Sequence, residues 1–188
     1  MSHPATRHPP LSLEEYLRLE ETSTVKHEYV AGEIHAMVGA TKRHNRIAGN
    51  ITALLWSAAR GGPCRVYTHD VKLRAAEDVV YYPDVMVACD SDSGHPLIED
   101  APCVVVEVLS PSTETTDRRE KTAAYKRMAG MRAYFIVHQA RRRVKRHWRD
   151  EHGTWWHDDA VGRGSVVFPC PEIELSLEEI YERLDIPE

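Results

Sequence analysis

The chain has 188 residues, which is the length of one domain with a hydrophobic core of its own. Hydrophobic residues make up 42% of it and charged residues 28%, and these ordinary proportions exclude a disordered or fibrous protein. No apolar run reaches the ~20 residues of a membrane-spanning helix, and the first ten residues lack the apolar stretch of a secretory signal. We therefore predict a cytoplasmic protein without membrane contact, with a flexible lead-in at residues 1–10 and a single domain at residues 11–188.

The net charge of −5 is unevenly distributed along the chain. Residues 171–188 contain seven acidic residues and one basic residue, so the remainder of the chain is about neutral. Residues 141–146, Arg-Arg-Arg-Val-Lys-Arg, form a dense basic run. Such a run is most often the solvated edge of a strand or loop, and contact with phosphate is the alternative. The net charge therefore neither supports nor excludes a polyanionic substrate.

The four cysteines are widely separated and include no Cys-x-x-Cys pair. This spacing argues against a zinc knuckle and against a disulfide scaffold, and it agrees with a reducing compartment. The cysteines are Cys64, Cys89, Cys103 and Cys170.

Apolar periodicity, capping signals and turn residues predict a mixed order of helices and strands. Residues 104–109 are the most apolar stretch, which is typical of a central strand covered on both faces. We expect an α/β fold with a central mixed β-sheet flanked by helices. The predicted elements are a helix that begins at Ser12, two strands within 25–38 that turn at Ala31-Gly32, a helix at 44–60, strands at 65–73, 79–89 and 102–109, a helix at 114–129, a strand at 132–139, a hairpin of 144–148 and 154–157, and a helix at 176–184.

Glu107 lies inside this most apolar strand. A buried carboxylate without a partner costs several kcal/mol, so Glu107 needs a cation, a metal ion or a place where a cleft opens. Asp84 interrupts another strand, directly after Pro83. Two such acids that project to one point would supply the oxygen ligands that Mg²⁺ prefers. The alternative for each acid is an ordinary salt bridge.

The helix after the central strand carries Asp117, Lys121 and Tyr125 at spacings of four, so the three share one face. Lys121 could return over the end of the Glu107 strand and stabilise negative charge that develops on a phosphate. The alternative is a surface ion pair between Asp117 and Lys121.

These residues belong to an ordered set of motifs that resembles the Uma-type putative restriction endonuclease family, within the PD-(D/E)xK nuclease superfamily. The resemblance runs from about Leu11 to Leu184. The motifs that carry it are Glu28-Tyr29-Val30-Ala31-Gly32-Glu33-Ile34, His44, Asp70-Val71-Lys72, Tyr82-Pro83-Asp84-Val85, Val106-Glu107-Val108-Leu109-Ser110-Pro111-Ser112-Thr113, Asp117, Lys121, Tyr125 and Tyr134.

The resemblance implies a restriction-endonuclease-like core in which Asp84 and Glu107 hold Mg²⁺, with Mn²⁺ able to substitute, and Glu28 contributes from the first segment. The superfamily pattern places a lysine two residues after the glutamate, where this chain has Leu109. Lys121 is our candidate for the relocated lysine, and Lys72 is its rival.

Three further positions carry weaker signals. His44 matches a family position and could contact a phosphate or move a proton, although a structural histidine is an equal alternative. Glu28 could also be a solvated loop acid. His138 departs from the family pattern, in which an aspartate often follows the Tyr-Phe-Ile-Val strand.

We therefore predict a Mg²⁺-dependent endonuclease that hydrolyses DNA phosphodiester bonds, with Asp84, Glu107, Lys121, Glu28 and His44 as its site residues. A homodimer would suit cleavage of two strands. The alternative is a nuclease-fold module that binds nucleic acid or a partner without cutting. A phosphate-ester hydrolase is disfavoured because no glycine-rich phosphate loop is present. The candidate contacts to the DNA backbone are Arg118, Arg119, Arg141 and Arg143.

Overall fold

The computed structural model describes residues 10–89, 94–110 and 117–187. These residues form a mixed α/β structure in which short strands predominate. The helices are α1 (Leu13–Thr22), α2 (Lys42–Ala59), α3 (Thr122–Arg127), which follows a π-helical turn at Asp117–Lys121, and α4 (Leu177–Ile180). The strands are β1 (His27–Val30), β2 (Glu33–Ala36), β3 (Arg65–Thr68), β4 (Lys72–Ala76), β5 (Val79–Tyr81), β6 (Val85–Ala88), β7 (Ile98–Glu99), β8 (Val104–Val108), β9 (Ala133–Val137), β10 (Arg143–Arg149), β11 (Trp155–Val161), β12 (Ser165–Pro169) and β13 (Glu172–Ser176).

The central sheet has six strands in the order β11-β10-β9-β8-β6-β3. Strands β8 and β9 are parallel, and the other neighbours in this sheet are antiparallel. A second sheet has the order β2-β1-β5-β4-β7, and β12 and β13 form a separate hairpin. The predicted mixed sheet is thus present, with the most apolar strand, β8, in its interior.

The two faces of β8 pack against different layers, because side chains alternate along a strand. Val104, Val106 and Val108 join a core that includes apolar residues of α2. Val105 and Leu109 join a second core, which contains Tyr125 of α3 and residues of the second sheet. Glu107 alternates with Val106 and Val108, so it lies on the face that carries α3 and the second sheet.

Local signals correctly predicted several element boundaries. The side chain of Ser12 accepts a hydrogen bond from the N–H of Glu15, and the Glu15 carboxylate caps Ser12 in return, as the capping box requires. The turn between β1 and β2 has positive φ at Ala31 (50°) and Gly32 (87°), which matches the tight hairpin turn expected there.

Two segments that were predicted as single strands each divide into two strands, so these two predictions were wrong. The segment 65–73 divides into β3 of the central sheet and β4 of the second sheet, and the segment 79–89 divides in the same way around Tyr82-Pro83-Asp84. Pro83 cannot donate a ladder hydrogen bond, which favours the crossing between sheets at this point. Apolar periodicity does not reveal that one extended segment serves two sheets.

The helix predicted at residues 114–129 is shorter, because α3 ends at Arg127. The Pro111-Ser112-Thr113 motif and the start of that predicted helix lie outside the described residues, as do the side chains of Asp117 and Arg118. The final predicted helix is a single turn, α4, which begins at a capping box of Ser176 and Glu179.

The expectation that the cysteine spacing argues against disulfide bonds was wrong. Disulfide bonds join Cys64 to Cys89 and Cys103 to Cys170. Separation in the sequence is a poor guide here, because sheet pairing brings the ends of distant strands together. None of the described helices combines the length and the hydropathy that a membrane span requires.

Candidate active site

Strand register brings Asp84 and Glu107 to the same place. Val85 of β6 is paired with Val106 of antiparallel β8, and one further step along each strand sets Asp84 opposite Glu107. Side chains at opposed positions project to the same face, with Cβ atoms about 5 Å apart. The N–H of Val108 donates to Asp84 Oδ2 at 2.7 Å, which holds this carboxylate beside the Glu107 backbone.

Lys121 lies between two carboxylates. Its Nζ is 3.1 Å from Glu107 Oε1 and 2.7 Å from Glu28 Oε1. Both Lys121 and Glu107 are only 4% exposed. Glu28 comes from β1 of the second sheet, Glu107 from the central sheet and Lys121 from the π-helical turn before α3. The ion pairs therefore join three separate elements across the boundary between the two sheets.

Tyr125 provides a further bond to the same carboxylate. Its hydroxyl donates to Glu107 Oε1 at 2.7 Å. Burial, and next the negative charge of Glu107, hold the pKa of Tyr125 well above its usual value. The hydroxyl therefore keeps its proton and remains a donor. Lys121 and Tyr125 together fix one oxygen of Glu107.

Two histidines face the Asp84 carboxylate. His44 Nε2 is 3.2 Å from Oδ2, and His69 Nδ1 is 3.6 Å from Oδ1. Burial acts to raise the pKa of Asp84, but hydrogen bonds from His44, His69 and the Val108 N–H outweigh it and lower the pKa to about 2. Asp84 is therefore ionised across the physiological pH range.

His44 lies in the first turn of α2, which begins two residues earlier than the sequence predicted. Thr41 is the N-cap of this helix, and its hydroxyl accepts the backbone N–H of His44 at 3.1 Å. The helix start thus directs His44 toward Asp84. His69 was not predicted as a site residue from the sequence. The one signal that pointed to it was its position directly before the Asp70-Val71-Lys72 motif.

These side chains line one cleft of about 790 Å³, which lies between the central sheet, the second sheet and the first turn of α2. Carboxylates, an ammonium group and histidines are concentrated on its wall, and apolar residues such as Val25 and Val38 are exposed on its rim. The cleft-lining residues that carry charge or can titrate include Glu28, His44, His69, Asp84, Glu107 and Lys121. The site is therefore open to a ligand.

The rival lysine, Lys72, occupies a different environment. Its Nζ is 5.4 Å from the centre of the Tyr82 ring, and burial is the main cause that lowers its pKa. Among the contacts of the described residues, it is Lys121 and not Lys72 that reaches Glu107. Leu109, where the superfamily pattern has lysine, is buried in the apolar core instead.

Two arginines of the basic run form ion pairs within the β10–β11 hairpin. Arg143 forms a two-bond pair with Asp159 at 2.9 and 3.0 Å, and Arg146 pairs with Asp158. These acids lie on β11, directly opposite the basic strand β10. Two of the five basic residues at 141–146 are therefore neutralised within the hairpin, as expected for a solvated strand edge. His138 is buried.

The site has the donor chemistry of a magnesium centre. Glu28, Asp84 and Glu107 bring three carboxylates against the single ammonium of Lys121, so this set carries an excess of negative charge. Mg²⁺ prefers oxygen ligands and is usually held by one or two carboxylates while it keeps several waters. Asp84 and Glu107, which are opposed on adjacent strands, fit this requirement.

Comparison with known proteins identifies the family of this chain. The sequence model of the Uma2 family, described as a putative restriction endonuclease, matches residues 13–184. An uncharacterized protein of Synechocystis, slr1290, is 36% identical over 154 residues, which cover 81% of each chain. A second uncharacterized Synechocystis protein, sll1609, is 30% identical over 162 residues, which cover 84% of this chain and 91% of that one.

A solved structure has the same fold. It is the crystal structure of a putative nuclease belonging to DUF820 from Anabaena variabilis, with a TM-score of 0.74 at 17% identity. The match covers 91% of this chain and 97% of the other. The predicted fold class, a nuclease-like mixed sheet flanked by helices, is thereby confirmed. Since the family model matches nearly the whole described part of the chain, the chain belongs to the Uma2 family of putative restriction endonucleases.

Proposed function

We propose that this protein is a Mg²⁺-dependent endonuclease that hydrolyses phosphodiester bonds of DNA in the cytoplasm. The observation that supports this most directly is the placement of Asp84 and Glu107 on opposed strand positions, beside the Lys121 ammonium, in an open cleft. Membership of a family described as nucleases favours a hydrolase that acts on nucleic acid.

Asp84 and Glu107 would hold the metal ion. Asp84 is ionised, with one oxygen fixed by the Val108 N–H and by His44. Glu107 Oε1 accepts hydrogen bonds from Lys121 and Tyr125, which orient this carboxylate beside Asp84. When bound, Mg²⁺ supplies positive charge to the phosphodiester and makes nearby water more acidic.

Lys121 would stabilise the negative charge that grows on the phosphate during attack. An ammonium held by two carboxylates cannot swing away, so its charge is in place before the reaction begins. Such a preorganised charge in a poorly hydrated site costs little reorganisation. Glu28 would serve as the residue that positions Lys121, since it contributes the shorter of the two ion pairs.

His44 and His69 would hold Asp84 and offer a route for protons. Each has a ring nitrogen near a different oxygen of Asp84. A neutral imidazole can donate a hydrogen bond from one nitrogen and accept a proton at the other. We therefore assign to His44 the role of orienting Asp84 and of receiving or relaying a proton from water in the cleft.

The test is cleavage of supercoiled plasmid and labelled oligonucleotides with Mg²⁺ or Mn²⁺, for wild type, Asp84→Asn and Glu107→Gln. We expect each variant to lose at least about 100-fold in rate, because each removes a charge that holds the metal. Glu99→Gln is the matched control. Glu99 is also a buried strand glutamate, but it accepts backbone N–H groups of Asp100 and Ala101 and lies outside the cleft lining.

The expected result is retained cleavage in Glu99→Gln and loss in the other two variants, each with a native circular dichroism spectrum. Cleavage that persists in Asp84→Asn or Glu107→Gln would contradict the mechanism. Calorimetry with Mg²⁺ distinguishes the metal-dependent enzyme from the alternative, a module that binds DNA without cutting it. Metal binding by the wild type, lost in Asp84→Asn, supports the enzyme, whereas DNA binding without metal binding supports the module.

A homodimer would allow cleavage of both DNA strands, because each chain would supply one active site. Light scattering of the protein with and without duplex DNA measures this directly. A two-chain mass in the presence of the duplex is expected, and a single-chain mass under cleavage conditions would contradict it.

A further inference from the structure

The four cysteines come from four segments and lie in one region of the fold. Cys64 directly precedes β3, Cys89 follows β6, Cys103 precedes β8 and Cys170 follows β12. The sulfur atoms of Cys89 and Cys103 are 3.4 Å apart, although they belong to different disulfide bonds. The sulfur atoms of Cys89, Cys103 and Cys170 all lie within 4.8 Å of one another. Cys64 is bonded to Cys89, so its sulfur adjoins this cluster of three.

Strand pairing explains how the first three meet. Arg65 of β3 pairs with Ala88 of β6, so the adjacent Cys64 and Cys89 are opposed at the end of this pair. The N–H of Cys103 donates to the carbonyl of Val87 at 2.8 Å, which places Cys103 beside the end of β6. The hairpin of β12 and β13 then brings Cys170 against this edge of the core.

We propose that the reduced form of this chain binds one Zn²⁺ ion through the thiolates of Cys64, Cys89, Cys103 and Cys170. Zinc is held in structural sites by four ligands, with Zn–S distances of about 2.3 Å, and a tetrahedron of that size sets the sulfur atoms about 3.8 Å apart. The 3.4 Å contact between Cys89 and Cys103 is already close to this value. The two bonded sulfur pairs have to separate, and the Cys64 sulfur, which is not one of the three mutually close sulfur atoms, has to move toward Cys103 and Cys170.

The environment suits a closed structural site. Cys103 and Cys170 are buried in the apolar core, and Cys64 and Cys89 pack against it. Four protein ligands leave no open position for a substrate, which distinguishes such a site from a catalytic one. The ion would tie three strands of the central sheet to the β12–β13 hairpin.

Conversion between the two forms is chemically balanced with a dithiol as reductant. Each disulfide accepts two electrons and two protons from one dithiol, which becomes a disulfide, and the four thiols then release four protons to solvent as they bind Zn²⁺. A reducing compartment favours the metal-bound form, and an oxidising one favours the two disulfides.

The proposal is independent of the nuclease site. The cysteines lie at the end of β6 that follows Ala88, whereas Asp84 precedes the opposite end of the same strand. The two sites also face different cores, since Cys103 and Cys170 pack with the α2 layer and Glu107 lies on the α3 face. Loss of one site can therefore be measured while the other is intact.

The test uses the full chain, reduced with dithiothreitol without oxygen, desalted and titrated with Co²⁺ and then Zn²⁺. We expect about one equivalent of Co²⁺ to produce the near-ultraviolet thiolate charge-transfer band and the visible bands of a tetrahedral site, and Zn²⁺ to displace it. Cys103→Ser should reduce the intensity of the charge-transfer band, because it removes one of the four thiolate ligands. Cys64→Ser, at a less buried position, provides the same test if Cys103→Ser does not fold.

Asp84→Asn is the control, because it removes an oxygen ligand of the proposed magnesium site and should leave the thiolate bands unchanged. The proposal is overturned if the folded protein with four titratable thiols shows no thiolate band, or if neither cysteine variant reduces it. It is also overturned if the disulfides can be reduced only by unfolding the chain. Each result stands whether or not the protein cleaves DNA.

Discussion

Replacing Lys121 by methionine tests whether the buried ion cluster stabilises the fold. The substitution removes the ammonium that lies 3.1 Å from Glu107 and 2.7 Å from Glu28 while it keeps most of the side-chain volume. Side-chain exposures of 5% for Glu107 and 15% for Glu28 mean that water replaces little of the lost interaction. Breaking a buried ion pair in this way typically costs about 3–5 kcal/mol.

A loss of that size would be easily measured. For a chain of this length, each kcal/mol lowers Tm by roughly 2–4 °C, so the expected decrease is about 6–20 °C. Thermal and urea unfolding followed by circular dichroism at pH 7 provide the measurement.

Lys72→Met is the matched control for this prediction. Lys72 is also buried, but its ammonium faces the Tyr82 ring, and burial lowers its pKa. Its charged form is thus disfavoured in the folded protein, so methionine should change stability by less than about 1 kcal/mol. If Lys121→Met costs no more than Lys72→Met, the reasoning about the ion cluster is wrong.

Three further changes have outcomes fixed by the structure. Tyr125→Phe removes the hydrogen bond to Glu107 and should cost about 1–3 kcal/mol in urea unfolding, and an unchanged midpoint would contradict the bond's role. The pKa of Asp84 is lowered from 3.8 to about 2, so its contribution to stability is present above pH 4 and is lost as pH falls toward 2. In Asp84→Asn, the free energy of unfolding should therefore depend less on pH between 4 and 2 than in wild type. Arg143→Ala should leave DNA affinity at fixed salt unchanged, because Asp159 already neutralises Arg143, and a clear loss of affinity would reassign this arginine to the DNA surface.

The positions of the two acids could be inferred from the sequence because their signal is local. Glu107 stands out among valines, and alternation along a strand decides which face it shares. Asp84 stands out because it follows Pro83 at the start of an apolar strand. The apolar pattern does not predict the strand register. The register of β6 against β8 sets Asp84 opposite Glu107.

Features that depend on long-range pairing could not be inferred. The sequence did not single out His69, because it reaches Asp84 only after the chain passes from β3 toward the second sheet. The division of two predicted strands between sheets is hidden for the same reason. The cysteine cluster could be predicted only from the strand order, which places Cys64, Cys89 and Cys103 at the ends of neighbouring strands.

The same two strands thus connect the sulfur cluster with the acid cluster. A slip of one residue between β6 and β8 would turn Glu107 away from the cleft, because successive side chains point to opposite faces. At the far end of this strand pair, the Cys103 N–H donates a hydrogen bond to the Val87 carbonyl, and the Cys103 sulfur contacts that of Cys89. These contacts fix the register at that end. The hydrogen bond and the sulfur contact at this end therefore help to keep Glu107 opposite Asp84 at the cleft. The two disulfides do not join β6 to β8, whereas the proposed Zn²⁺ ion would link these strands through Cys89 and Cys103.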